Sequence, residues 1–431
     1  EYDGKPVCAS KEILTDLLRD DLGFEGVVVS DYASVERLTN VFGLTDDITE
    51  AGEMCLKAGM DMELPQPVGY TAKMAADADS GAFDMAYIDR SVERVLTLKY
   101  ELGLFENPFP DFQQMAAAFG NPESSTASLE AARQAMTLTK NDGLLPLTDR
   151  SKKIAVIGPM GSTARAFFGC YTSAGGIEMA MSGQSAMAGV GEANGQKNRV
   201  LDLHIVDPVL GMVYPDAKST LQALQSRFEN VTYTEGCDYV TADRNDFVAA
   251  VQAAKEADVV IMTLGGRNGW GTYSTSGEGV DTTDIGLPGC QEELLRAVFE
   301  VNPNMVLVHT DCRPVVSSWI YGHVPAILEA WLPCTYGGDA IAQTITGENN
   351  PGGRLHMEVP RSIAHGPVGH NQSRGTEPTS FRKGAIIYQG YVNQDMSAQL
   401  PFGYGLSYTT FEYSDFQLKM DDQEQVSASV T

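Results

Sequence analysis

Residues 11–22, KEILTDLLRDDL, set Ile13, Leu14, Leu17 and Leu18 three and four positions apart, which predicts an amphipathic helix stopped by Gly23. The pattern then changes. Val27, Val28 and Val29 form a continuous β-branched run, which predicts a strand covered on both faces. A helical tract follows to about Ala58, and GMDMELP (59–65) reads as another short strand ending at a proline. Helix, strand, helix, strand at this spacing is the rhythm of a parallel α/β sheet or barrel. Two such units cannot close a barrel, so they would be its last part. YIDRSVERVLTLKYELGLF (87–105) predicts a helix stopped near Pro108 and Pro110. QMAAAFGNPESS reads as the heart of a linker, and SLEAARQAMTLTKNDGLLPL (128–147) as a helix followed by a turn.

A second alternating pattern begins near residue 151. Four strands are predicted: KIAVIG (153–158), ADVVIMTLGG (257–266), NMVLVHTD (304–311) and PAILEAW (325–331). Helical tracts lie at DFVAAVQAAKEA (246–257), QEELLRAVFE (291–300) and GDAIAQTIT (338–346). The alternation predicts an open, mainly parallel sheet between helices. After about residue 413 the chain alternates apolar and polar residues, as the first strand of a β-domain would.

Composition narrows the picture little. The 431 residues are 43% hydrophobic and 20% charged, an ordinary globular balance, and no apolar run approaches the ~18 residues of a membrane span. The net charge of −27 disfavours nucleic acid and anionic lipid as partners and favours a neutral or cationic ligand, unless it serves solubility alone. Cys8, Cys55, Cys170, Cys237, Cys290, Cys312 and Cys334 form no CxxC pair, and the six histidines no HExxH, so no metal site is indicated. An odd, unpatterned cysteine set favours reduced thiols and leans toward a cytoplasmic location, while a secreted or periplasmic protein stays open. The sequence starts on a turn and a helix without methionine or signal peptide, as the middle of a domain would. Asn230-Val-Thr and Asn371-Gln-Ser match the glycosylation tripeptide, a pattern common by chance.

Two carboxylates stand out. Asp31 ends the valine run, where it would either cap the following helix or sit at the carboxyl end of a barrel strand, the place where such enzymes hold their chemistry. Glu278 lies between glycines in GWGTYSTSGEGVDTTDIGLPG, a loop without helical periodicity, and is either solvated or a carboxylate on a movable arm. Asp281 and Asp284 read as caps of the next helix. Glycine-rich loops follow two strands, IAVIGPMGS and TLGGRNGWG, but neither has the G-x-G-x-x-G spacing or a phosphate-loop ending, which argues against a nucleotide-dependent oxidoreductase.

GFEGVVVSDYASV, AGMDMELP, the SGEG loop with LPGCQEELLRAV, DCRPVVSSWI, AILEAWLPCTYGGDAIAQTITGENNPGGRLH and PFGYGLSYTTFEYSDF together resemble glycoside hydrolase family 3, in the family's order over nearly the whole chain. The resemblance implies an α/β chain: the C-terminal part of a (β/α)8-like barrel (1–106), a linker (107–149), an α/β sandwich with a mainly parallel sheet (150–413), and the start of a fibronectin-like β-domain (414–431). It implies that Asp31 of Ser30-Asp31-Tyr32 is the nucleophile and Glu278 of SGEG the acid/base of a retaining, exo-acting β-glycosidase. The substrate would be a β-linked oligosaccharide or an aryl or alkyl glycoside, with no cofactor. β-Glucosidase is the leading expectation. β-Xylosidase and a non-catalytic carbohydrate-binding relative are the alternatives. Tyr32, Tyr171, Arg267 and Trp270 are the expected substrate-binding or loop-shaping residues. Trp319, Trp331, Phe402 and Tyr404 are expected in cores or domain packing, and Asp61 and Glu63 in structural roles. The barrel's earlier strands, which in the family grip the non-reducing-end sugar, are not in this sequence, so the chain alone is expected to be inactive and poorly soluble. Two family glycines are replaced, at Cys312 and Cys334, which predicts turns that do not need a positive φ or else a local adjustment. The arginine common after the acid/base segment is Thr282 here.

Overall fold

A computed structural model describes residues 1–119, 121–182, 206–270, 274–278, 280–365, 392–395, 397–421 and 425–431. The Asn371 tripeptide and Gly279 of the SGEG element lie outside the described residues. The chain divides into two compact units, Glu1–Gly120 and Asn121–Thr431.

The first unit is built mainly of helices, at Glu12–Asp21, Ser34–Asn40, Ile48–Ala58, Ala72–Asp79, Met85–Glu101 and Phe112–Phe119. The tract expected to run to Ala58 is therefore two helices. Asp47 starts the second by accepting a hydrogen bond from the Thr49 amide, and Gly59, at a φ of 115°, ends it. Leu14, Val35, Leu38, Ala51, Cys55, Ala58 and Met60 form one core, and Leu56, Met74, Ala78 and Phe83 a second. The expected two-sided strand at Val27–Val29 is reduced to one parallel bridge between Val29 and Met62, and Val29 is 45% exposed. The run pairs with the segment around Met62 alone among the described residues, so it lacks the second neighbour of a buried sheet strand, and only Val28 packs against the core.

The second unit carries a six-stranded sheet. Its strands are β1 (Thr137–Asn141), β2 (Lys153–Ile157), β3 (Asn230–Thr234), β4 (Val259–Gly265), β5 (Met305–Thr310) and β6 (Ala326–Glu329), in the order β1-β6-β5-β4-β2-β3. All pairs are parallel except β1 with β6. Alternation splits the strand residues between two cores. Ile154, Val156, Val259, Ile261, Val306, Val308 and Leu328 join one, with Leu224 and Ile345 from helices Thr220–Gln225 and Gly337–Thr346. Ala155, Ile157, Val260, Met262, Leu264, Leu307 and Ile327 join the other, with Ala250, Leu294 and Val298 from helices Phe247–Glu256 and Gln291–Phe299. Every residue of β4 and β5 is buried, which explains why their sequences read as unbroken apolar runs.

β1 and β3 were not expected. Residues 128–147, read as a helix and a turn, contain helix residues up to Ala135 and then strand β1, and the Asn230 tripeptide opens β3. Both are edge strands, so neither needs a long apolar run. The glycines after β2 and β4 have a packing reason. Gly158 and Gly265 adopt φ values of 130° and 152°, and a Cβ on Gly265 would lie 2.0 Å from the Thr310 carbonyl oxygen. At Cys334 the relaxed-turn alternative fails, since its φ is 56° and the turn keeps the left-handed conformation that favours glycine. β7 (Gln417–Met420) and β8 (Val426–Ser429) pair antiparallel, with all their residues exposed. All seven cysteines are free thiols, and no helix among the described residues is long and apolar enough to cross a membrane.

Candidate active site

In the first unit, hydrogen bonds run from Asp61 N and Met62 N to Val28 O, from Ser30 N to Met62 O, and from Ala33 N to Leu64 O. The Ser30 hydroxyl accepts from Leu64 N at 2.8 Å. This lacing fixes the backbone on both sides of Asp31. Ala33 then turns left-handed, at a φ of 61° and ψ of 19°, before the helix Ser34–Asn40 begins. A left-handed alanine costs roughly 1–2 kcal/mol, and here it breaks the path from strand to helix. Asp31 consequently does not cap that helix. Its Oδ1 accepts from the Tyr32 amide at 2.7 Å, and both side chains are exposed.

Asp61 is the buried counterpart. It accepts from Arg19 Nη2 (2.8 Å), Arg94 Nη1 (3.0 Å), the Ser91 hydroxyl (2.8 Å) and Val28 N (2.9 Å). Glu63 accepts from Gly69 N and Tyr70 N, each at 3.0 Å. These contacts fit the structural roles expected of both. Asp61→Ala leaves the buried Arg19 guanidinium without its carboxylate and should destabilise the unit by about 3–5 kcal/mol. Urea unfolding followed by near-ultraviolet circular dichroism measures this, and a change below about 1 kcal/mol would contradict the assignment.

In the second unit the Glu278 loop grows from the carboxyl end of β4. Gln291 is buried and ties that end down: its Oε1 accepts from Gly265 N, and its Nε2 donates to Gly265 O and Tyr239 O. Residues 267–269 then run beside 275–277, with Thr275 N donating to Arg267 O at 2.9 Å and Gly269 N to Ser276 O at 3.0 Å. Glu278 follows at the tip, exposed, and accepts a hydrogen bond from the Tyr171 hydroxyl. Tyr171 is 78% exposed and meets Trp270 edge-on at 5.0 Å between ring centroids. Two further bonds stitch the Tyr171 segment to the loop: Trp270 Nε1 to Cys170 O and Cys170 N to Asn268 Oδ1, both 2.8 Å.

Arg267 is only 1% exposed. Its guanidinium pairs with Glu178 and donates to the Tyr239 hydroxyl at 3.1 Å, so the side chain is engaged within the protein at the base of the loop. Arg165 shares Glu178 at 2.7 Å and donates to Asn268 O at 2.8 Å. Burial pulls both guanidinium groups below their ordinary value, Arg267 also because Arg165 lies beside it. Arg165 and Glu178 escaped the sequence reading; the available signal was an arginine inside the apolar stretch ARAFFG. Asp284 holds Gly286 N, and the helix Gln291–Phe299 has no side-chain cap, so the expected capping by Asp281 or Asp284 does not occur. Trp319, Trp331 and Tyr404 pack against the core as expected, whereas Phe402 is exposed.

Residues 136–408 match the Glycosyl hydrolase family 3 C-terminal domain, and residues 1–98 the Glycosyl hydrolase family 3 N terminal domain. A beta-xylosidase of Formosa agariphila is 32% identical across 100% of this chain and 54% of its own length. A periplasmic beta-glucosidase of Salmonella typhimurium is 32% identical across 99% of this chain and 54% of its own. The solved beta-glucosidase of Listeria innocua in complex with glucose superposes with a TM-score of 0.80 at 26% identity, covering 99% of this chain and 53% of that one. The chain belongs to glycoside hydrolase family 3. It spans about half the length of the curated relatives it matches.

Proposed function

We propose that this chain supplies both catalytic carboxylates of a retaining, exo-acting β-glycosidase that removes terminal non-reducing β-D-glucosyl residues. In this reading the first unit is the C-terminal part of a (β/α)8-like barrel and the last residues begin a fibronectin-like domain. The observation that carries it is the contrast between the two carboxylates. Asp31 is exposed on a backbone laced on both sides, as a nucleophile needs for accurate attack. Glu278 is exposed at a loop tip, where it accepts a hydrogen bond from the Tyr171 hydroxyl, as suits a proton donor that follows its substrate.

Retention requires carboxyl groups about 5–5.5 Å apart across the scissile bond. Asp31 attacks the anomeric carbon while Glu278 protonates the departing oxygen, leaving a glycosyl-aspartate. Glu278, now ionised, removes a proton from water, which attacks the same carbon and releases the sugar and the Asp31 carboxylate. The exposed rings of Tyr32 and Tyr171 offer faces for sugar C–H groups. β-Xylosidase is the second reading, favoured by the Formosa relative named as one, at the same identity as the glucosidase from Salmonella.

The test is to incubate the intact protein with a 2-deoxy-2-fluoro β-glucoside and its xylose counterpart, each with an activated leaving group, and to map the label by peptide mass spectrometry. Label on the peptide containing Asp31, faster from the glucoside, is expected. Faster labelling from the xyloside selects the second reading. Label on another residue, or none from either reagent, overturns the proposal.

A further inference from the structure

The Glu278 loop is tied to the end of β5 by contacts that the reaction scheme leaves unused. Asp311, the residue after β5, is 4% exposed. Its Oδ1 accepts from the Ser276 hydroxyl at 3.2 Å and from Cys312 N at 2.7 Å. Ser276 is also buried, two residues before Glu278. Beside it, Arg313 Nη2 donates to Thr275 O at 2.9 Å. Gly266 makes room for this junction: a Cβ there would lie 2.1 Å from Asp311 Oδ2 and 2.5 Å from Thr275 Oγ1. The segment behind Asp311 is itself fixed. Val315 N donates to Glu329 Oε1 at 3.1 Å, and the fully buried Glu329 holds His309 Nδ1 of β5 at 2.6 Å.

We propose that Asp311 is a positioning residue for the general acid/base, an inference that rests on the reading of Glu278 above. A glycine-flanked loop tip has no core of its own to fix it. The nearest rigid body is the sheet, and the bond from Ser276 to Asp311 transmits that rigidity to within two residues of the carboxyl. A displacement of about 1 Å at a reacting group can cost on the order of 100-fold in rate. The loss should fall on protonation of the leaving group and spare the nucleophile.

The experiment compares kcat/KM of the intact protein across β-glucosides whose leaving groups range from dinitrophenol to simple alcohols. Asp311→Ala should lower kcat/KM by about 10–100-fold for alkyl glucosides and by less than about threefold for the dinitrophenyl glucoside. Ser276→Ala, a milder change that keeps the fold, should show the same slope with smaller losses. Asp311→Asn, which keeps an acceptor oxygen, should restore most activity. A role in stability alone would depress all substrates equally, in step with the fraction folded, and that result overturns the proposal. Glu278→Gln run in parallel separates the two failures. If it lacks leaving-group dependence, the acid/base assignment falls. If it shows that dependence and the Asp311 and Ser276 variants do not, the positioning role alone falls.

Discussion

Asp31→Ala in the intact protein should abolish turnover, with kcat/KM for an aryl β-glucoside falling on the order of 10^4-fold or more. Without the carboxylate the anomeric carbon has no internal nucleophile, and water in the vacated space is neither charged nor held in line. Azide should restore part of the rate, because a small anion can fill the gap left by the side chain. The product is diagnostic. Azide takes the position of Asp31, attacks from the face opposite the β-linked leaving group and gives the α-glycosyl azide. The substitution should leave folding intact, because the exposed side chain accepts its hydrogen bond from its neighbour's amide. Unchanged turnover in a folded Asp31→Ala protein would falsify the nucleophile assignment. A β-configured azide would instead assign Asp31 the acid/base role.

The order of elements in the second unit was legible because β2, β4, β5 and β6 are buried along most or all of their length and announce themselves as apolar runs. β1 and β3 stayed hidden because edge strands carry fewer apolar positions, and Thr137, Thr139 and Lys140 obscured β1. The valine run before Asp31 shows the opposite error. Three β-branched residues predict burial, yet burial also needs neighbours, and Val29 faces solvent. The two proposed catalytic carboxylates stand out in the sequence because each lies in a short contiguous motif. Their supports could not. Ser276 and Asp311 are 35 residues apart, and Arg165 reaches Asn268 across 103, so only the fold brings them together. Tyr171 fell between these cases: its loop was noticed, and the structure sets its hydroxyl on Glu278. The replacement of glycine by Cys334 left a relaxed turn and a local adjustment both open in the sequence, and the backbone keeps its positive φ, so the cysteine carries the strain.

Glu278→Ala should split the substrates by leaving group. Alkyl glucosides and disaccharides need protonation of the departing oxygen, so their kcat/KM should fall by about 10^2–10^4-fold. Dinitrophenolate leaves without help, so kcat/KM for its glucoside should change little. The second step distinguishes this outcome from general damage. Water now attacks the glycosyl-aspartate without a base, whatever the original aglycone was, so the intermediate accumulates. Activated substrates should then show a burst of phenolate, a depressed kcat and a lowered KM. Azide needs no base and should raise kcat for these substrates, giving the β-glycosyl azide because it attacks the α-linked intermediate from the open face. Nothing in a folding defect couples a low KM to azide acceleration. Equal losses in kcat/KM for good and poor leaving groups, without a burst, would remove Glu278 from the role and direct attention to another carboxylate on the sandwich loops.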